Sequence, residues 1–230
     1  MTVNVVMLVH ERYTLTNQAI DSLYVNTDQD QFNLTVVDDE SQDFRVGRYL
    51  SGLEGYRSII TLDGSRHILS RMKNLGVRWS ESHFGRADYL CVCDNDVYFL
   101  PQWLARMVEA YSSDMGLRLL GGERHPYHGI NKFNSYVEFV DAVAGYTHFM
   151  SWNTWRGGAG MQAFGPYDET TAPGVCQGED QAFCRKIVDA GYEIGYTSPP
   201  TILHTGVTNS KGEPAVGAEH FARHPGVIYL

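Results

Sequence analysis

An unbroken apolar run, Tyr89-Leu90-Cys91-Val92-Cys93, ends directly on Asp94-Asn95-Asp96, and this junction narrows the possible folds more than any other stretch. A run without polar alternation reads as a strand covered on both faces, the pattern of a parallel sheet, and ligands of open α/β sheets gather where such strands end. If the extended course continues through the triplet, Asp94 and Asp96 project to the same side and together face a divalent cation and the ligand it carries. The same three residues equally suit a turn, through hydrogen bonds from their short polar side chains. Their position after a buried strand favours the metal site.

The first half of the chain repeats this theme. Val3–Val9 and Phe32–Val37 are further buried strands, Ser58–Leu62 is a short third one, and Leu117–Leu120 resumes extended structure beyond Tyr89–Cys93. Between them, Leu15–Asn26 has apolar residues at Leu15, Ala19, Leu23 and Tyr24, a helical spacing. Asp43–Leu53, Ile68–Trp79 and Gln102–Ser112 are also expected to be helical, with Pro101 suited to the first turn of the last. Such alternation predicts an α/β fold with a Rossmann-like, mostly parallel central sheet flanked by helices. After Gly121 the sequence turns to Gly, His, Tyr and Trp. It has short extended pieces at Val137–Val140, Tyr146–Trp152, Ile194–Tyr196 and Thr201–Leu203, and one clear helix at Glu179–Ala190. This half is expected to form the second wall of a cleft. Thr205–Leu230, rich in Gly, Pro and His without periodicity, is expected to be a cover for the site or a disordered tail.

Composition removes several classes of function. With 230 residues, 43% of them hydrophobic, the chain can bury one sizeable core. A net charge of −9 disfavours an extended nucleic-acid face, which draws on clustered Lys and Arg. The longest apolar runs are strand-sized, too short to span a bilayer, and no basic segment with a following apolar core marks a signal peptide, so a soluble cytoplasmic protein is expected. Cys91, Cys93, Cys176 and Cys184 lack paired Cys-x-x-Cys spacing and are expected to be reduced thiols, without zinc. Gly157-Gly158-Ala159-Gly160 lacks both the Lys-Ser/Thr ending of a phosphate loop and the spacing of a dinucleotide fingerprint.

Six features fall in a fixed order: Val9-His-Glu-Arg12, Asp38-Asp-Glu-Ser41, Arg71-Met-Lys-Asn-Leu-Gly76, Asp94-Asn-Asp96, Gly178-Glu-Asp180 and a late His204. With Gly160–Asp168 preceding Gly178-Glu-Asp180 and Gly191-Tyr192 closing its helix, the set resembles the inverting family 2 glycosyltransferases of the GT-A fold, from Val3 to about Thr205. The resemblance implies one GT-A catalytic domain over residues 1–204, with a nucleotide-sugar half (1–121) and a smaller acceptor and catalytic half (122–204), followed by the tail.

It also implies roles. His10, Arg12, Asp38, Asp39 and Ser41 would surround base and ribose, with Asp39 at the base edge, since an ionised carboxylate is purely an acceptor and suits the imide N–H of uracil. Ser41 serves equally well as a helix cap. Arg71 and Asn74 would approach the diphosphate and ribose. Within the triplet Asp94 and Asn95 would reach the donor, while Asp96, with Asp94 beside it and His204 as a further ligand, would hold Mg²⁺ or Mn²⁺. Such an ion is needed because a nucleoside diphosphate leaves poorly unless a Lewis acid meets its growing charge. Asp180 would be the general base, although a first-turn carboxylate is also favoured by the helix dipole alone, and Glu179 would orient the acceptor or support the base. Trp155, Gly157 and Gly158, with Arg156 close by, are placed on the acceptor side. His125, Tyr127 and His128 also suit that side or an ordinary loop.

The implied reaction is metal-dependent, inverting transfer of a sugar from a nucleotide diphosphate sugar, most simply a UDP-sugar, to a hydroxyl of a glycan, lipid-linked sugar, protein or modified nucleic acid. His10-Glu11-Arg12 departs from the Tyr-Asn-Arg sequence of many relatives, which bears on the base contacts, and Asn95 in the middle of the triplet leaves both outer acids in place. The absence of a long extension or membrane helices favours transfer of single sugars over processive export. A sugar nucleotidyltransferase would need a Gly-rich basic loop after the first strand, where Val9-His10-Glu11-Arg12 stands. An inactive nucleotide-sugar-binding module on the same fold is the non-enzymatic alternative.

Overall fold

The computed structural model describes residues 1–53, 57–61, 68–125, 128–158, 160–170 and 178–206; Tyr127, Cys176 and the 207–230 part of the tail lie outside the described residues. The expected alternation is β1 (Val3–Val9), α1 (Tyr13–Val25), β2 (Phe32–Asp38), α2 (Phe44–Gly52), β3 (Arg57–Thr61), α3 (Leu69–Phe84) and β4 (Tyr89–Asp94). It continues through β5 (Val97–Phe99), α4 (Trp103–Ser112), β6 (Leu117–Gly121), β7 (Lys132–Phe133), β8 (Val137–Phe139) and β9 (Thr147–Ser151). The last elements are α5 (Trp152–Arg156), α6 (Glu179–Asp189), β10 (Glu193–Thr197) and β11 (Ile202–His204).

Sequence pattern found every strand long enough to bury two faces and missed three short elements, β5, β7 and α5. It also misplaced Pro101. Helix α4 starts at Trp103 after Gln102, whose backbone is left-handed (φ 63°), so the proline belongs to the preceding turn.

Nine strands form one sheet in the order β3-β2-β1-β4-β9-β6-β10-β8-β7, and β5 pairs with β11 in a separate two-stranded ribbon. β1 is parallel to both β2 and β4, and β10 is parallel to β6, whereas β9 runs antiparallel between β4 and β6. The continuous hydrophobic runs have a direct explanation in the two cores. Along β1, Val3, Val5, Met7 and Val9 enter the core on one face, while Val6 and Leu8 enter the core on the other. β4 divides likewise, with Cys91 and Cys93 on the first face and Leu90 and Val92 on the second. Burial of each Val or Leu contributes about 1.5–3 kcal/mol, so both faces favour the strand, and the one polar residue within β1, Asn4, is buried with its amide bonded to the Gly85 carbonyl and Asn33. Cys91, Cys93 and Cys184 are buried free thiols, as expected.

Register then assembles the site. Asp38 at the end of β2 lies opposite Val9, and Asp94 at the end of β4 lies opposite Leu8, so the acids of two strands and the loop after β1 meet at one edge of the sheet. Parallel strands make this possible because their carboxyl ends all point the same way. Among the described residues no helix is long and apolar enough to cross a membrane.

Candidate active site

The loops after β1 and β2 are laced together. The Asp38 carboxylate accepts from the Ser41 hydroxyl (2.6 Å) and amide (3.2 Å), and the Ser41 hydroxyl in turn accepts from the Glu11 amide (2.8 Å). Glu11 accepts from the Gln42 and Asp43 amides (2.6 and 2.9 Å), and Asp43 is the N-cap of α2, accepting from the Arg45 amide at 3.0 Å. The helix is therefore capped by Asp43, and Ser41 ties the two loops. His10 is exposed, with Nδ1 2.7 Å from the Asp39 carbonyl oxygen and 3.9 Å from its carboxylate. Glu11, Arg12 and Glu40 hold left-handed backbone (φ 54°, 56° and 51°). For residues with a Cβ this costs about 1–3 kcal/mol each and persists only where surrounding bonds over-determine it, which is common at ligand sites.

After Asp94 the chain bends at Asn95 and Asp96 and re-enters extended structure as β5. The extended course through the triplet therefore stops at Asp94, and a bend, which its short polar side chains also suit, takes its place. Antiparallel pairing of β5 with β11 sets His204 opposite Val97, which brings His204 Nε2 to 3.4 Å from Asp96 Oδ2. The same Asp96 oxygen accepts from Arg12 Nη1 at 2.9 Å. Tyr146 stacks on the His204 ring with centroids 4.5 Å apart, and Glu123 accepts from the His204 amide at 3.0 Å. A Cβ on Gly206 would collide with the Asp96 carboxylate, so the chain passes this acid as closely as a bare Cα permits.

The electrostatics follow from that crowding. Burial alone would raise Asp96, but the hydrogen bond and charge of His204, together with Arg12, hold it below the ordinary carboxylate range. Burial opposes protonation of His204 as well, yet the hydrogen bond and charge of Asp96, helped by Asp94 and Glu123, lift it above its usual value. Asp94 is pushed up to about 7: burial is the largest cause, Lys73 opposes it, and repulsion from Asp96 and Asp180 adds to it.

These residues fit a divalent cation. Asp96 Oδ1 is buried without a hydrogen-bond partner, an orphaned acceptor of the kind a cation satisfies, and an imidazole stands beside it. Among the described residues no three His, Cys, Asp or Glu side chains converge as a ready-made cage. An ion that keeps waters and substrate phosphate oxygens in its shell needs no cage.

Across from this group, Gly178 caps α6, and Glu179 and Asp180 occupy its first turn. Both face Lys73 of α3. Its Nζ lies 2.8 Å from Asp180 Oδ1, 3.4 Å from Glu179 Oε1 and 5.2 Å from the centre of the Tyr167 ring. Burial would lower Lys73, but the charges of Asp180, Tyr167, Asp94 and Glu179 outweigh it and hold the ammonium above its ordinary range. Burial would likewise raise Asp180, but Lys73, then His148 and the Gly145 amide, keep it below the usual carboxylate value. Gly145 is placed so close that a Cβ there would run into the Asp180 carboxylate. Lys73 was missing from the sequence-based site. Its signal was helical: it shares a stripe with Ser70, Gly76, Val77 and Ser80, all buried, so a lysine there cannot face solvent.

Several candidate residues are occupied within the protein. Asn74 is buried; its amide donates to the Tyr167 carbonyl (2.9 Å) and Glu169 (2.8 Å) and accepts from the Tyr167 amide (2.9 Å), so it clamps the 167–169 loop where a donor contact was expected. Replacing Asn74 by Ala leaves buried backbone groups unpaired, and a loss of about 2–4 kcal/mol is expected, read as a lower denaturation midpoint at unchanged slope. Asn95 is buried and bonded within the protein, donating to Thr16 Oγ1 (2.7 Å) and to the Glu11 carbonyl (3.3 Å). Trp155 is core, packed on Tyr167, Phe183 and the backbone of Gly165, and offers no stacking face to an acceptor. Gly157 and Gly158 form a turn closed by reciprocal hydrogen bonds between Gly158 and Met161. His128 bonds the Tyr196 hydroxyl at 2.7 Å, beside His125. Arg71 is exposed on α3.

Residues 4–164 match the family model described as Glycosyl transferase family 2. The match ends before Asp180 and His204, whose place in the site rests on geometry. No curated protein matches the sequence. Solved structures do resemble the fold. The crystal structure of S. aureus TarS 1-349 superposes with a TM-score of 0.61 at 15% identity, over 88% of this chain and 59% of that one. TarS 1-349 in complex with UDP-GlcNAc gives 0.59 at 14% identity, over 88% and 57%. The mannosyltransferase PcManGT from Pyrobaculum calidifontis, in complex with GDP-Man and Mn2+, gives 0.59 at 14% identity, over 84% and 56%. The chain therefore spans less than two thirds of these proteins.

Proposed function

Because the chain belongs to glycosyl transferase family 2 and has the GT-A fold, we propose that it is a metal-dependent, inverting glycosyltransferase moving a sugar from a nucleoside diphosphate sugar, a UDP-sugar in the first instance, onto an acceptor hydroxyl. The observation that carries this reading is the convergence of two acid groups from distant parts of the chain. Asp96 and Asp180 both raise Asp94, and Lys73, bonded to Asp180, opposes that rise, which supports a single site built from the triplet and the start of α6. That fold relatives bind UDP-GlcNAc or GDP-Man supports a nucleotide-sugar donor.

In this mechanism the loops at residues 10–12 and 38–41 receive the nucleoside, with the Asp39 carboxylate accepting from the base edge, and exposed Arg71 reaches toward the diphosphate. Asp96 and His204, flanked by Asp94, would hold a divalent cation, which supplies a Lewis acid for the departing diphosphate. Asp180 takes the proton of the acceptor hydroxyl as that oxygen bonds to the anomeric carbon and the bond to the diphosphate breaks. A single displacement inverts the anomeric centre. Glu179, buried against Lys73, supports the base and does not meet the acceptor.

A thermal-shift screen with UDP, UDP-GlcNAc and GDP-mannose, each with Mn²⁺ or Mg²⁺, tests the donor assignment. At a ligand concentration a hundred times its Kd, binding adds about 2.7 kcal/mol, which raises Tm by about 5–10 °C for a chain of this size. If no nucleotide stabilises the protein with either metal, the assignment fails. Stabilisation without release of UDP or GDP would leave a binding module.

A further inference from the structure

We infer that Lys73 is a positioning residue for the proposed reaction: buried under the cleft, it fixes the Asp180 carboxylate in place and in its ionised form, ready to accept the acceptor's proton. This rests on the assignment of Asp180 as the base. The geometry of three charges carries it. Lys73 is 1% accessible at its side chain and Glu179 4%, while Asp180 is 25% accessible, so only Asp180 of this group opens to the outside. A buried pair serving packing alone has no need of a half-open member, and apolar residues of similar volume commonly stabilise a fold as well. Here the ammonium grips one carboxylate oxygen at 2.8 Å and Gly145 packs against the carboxylate, while a quarter of the Asp180 side chain stays accessible.

The neighbours of Asp180 offer no substitute. His148 on β9 is hydrogen-bonded to the Tyr167 hydroxyl and the Val143 carbonyl, and burial lowers it to about 4. Burial also lowers His128, so both rings are neutral near pH 7. Tyr167, Tyr196 on β10 and Cys184 on α6 are all raised by burial and stay protonated. Asp94 on β4 and Glu179 are acids, and Gly145 contributes a single amide dipole. Among the described groups acting on Asp180, Lys73 therefore supplies the standing positive charge near pH 7, and His148 adds its own only below about 4. Without it, burial and the acidic neighbours favour the protonated carboxyl, which cannot accept a proton.

The test is a carbon-13 NMR titration of aspartate-labelled protein in buffer containing Mg²⁺, with the Asp180 signal assigned by its absence in Asp180→Asn. In the wild type the midpoint is expected below the ordinary aspartate range. In Lys73→Met it should rise by about one to three pH units, the usual effect of a close opposite charge, and in Lys73→Arg it should stay near the wild type. The acid limb of donor hydrolysis should move upward with it, a change that a packing role would not produce. An unmoved midpoint in a folded Lys73→Met, or a wild-type midpoint at or above the ordinary value, overturns the inference. The wild-type titration decides alone if Lys73→Met does not fold. Turnover of Asp180→Asn is a separate readout: activity retained there removes the base assignment, whatever the titration gives.

Discussion

Asp180→Asn is expected to lower sugar transfer about 10²–10⁴-fold, the usual contribution of a positioned general base, while donor affinity stays within a few-fold of the wild type. The substitution preserves shape and removes only the capacity to take a proton. Lys73 keeps Glu179 at 3.4 Å, so the buried ammonium retains a partner and the fold is expected to hold. On the donor side the change is mild and has a definite sign: Asp180 is one cause of the raised Asp94 value, so its neutralisation lets Asp94 ionise at lower pH. Kinetics of UDP release, set beside calorimetric titration with the nucleotide sugar, separate the two effects. Equal losses in turnover and donor affinity would assign Asp180 to binding.

The second large effect is expected at Asp96. Asp96→Ala should abolish the response to Mn²⁺ and Mg²⁺ and lower transfer about 10²–10³-fold, matching the several kcal/mol that a Lewis acid supplies to a leaving diphosphate. Three groups lose a partner at once: Arg12 at 2.9 Å, His204 at 3.4 Å and the ion proposed at the orphaned Oδ1. Removal of metal from the wild type by a chelator should reproduce most of the loss, and added metal should restore activity only where Asp96 is intact. A variant still activated by metal to the wild-type extent would place the ion elsewhere.

Much of this was legible in the chain because the informative residues are governed by local rules. Strands buried on both faces announce themselves, as Val3–Val9 and Tyr89–Cys93 did, and an acid at the end of such a strand has few places to go. What escaped depends on partners far away in sequence. Strand β5 is three residues long and exists through pairing with β11, more than a hundred residues later, yet it is the device that carries His204 to Asp96. The partners of Asn74, Asn95 and Trp155 were hidden for the same reason: their hydrogen bonds and ring contacts lie with Tyr167, Thr16 and Phe183, and nothing local distinguishes an amide spent inside the protein from one offered to a ligand.

The antiparallel strand β9 stitches β4 to β6 in register, Cys91 opposite Phe149 and Phe149 opposite Leu120, so the sides proposed for donor and acceptor share a single hydrogen-bonded surface. A seam of that kind has no hinge. The two halves of the cleft cannot swing together as lobes around a bound nucleotide, and any sheltering of the reacting sugar from bulk water must come from segments that rim the sheet while its acids stay at fixed spacing throughout turnover.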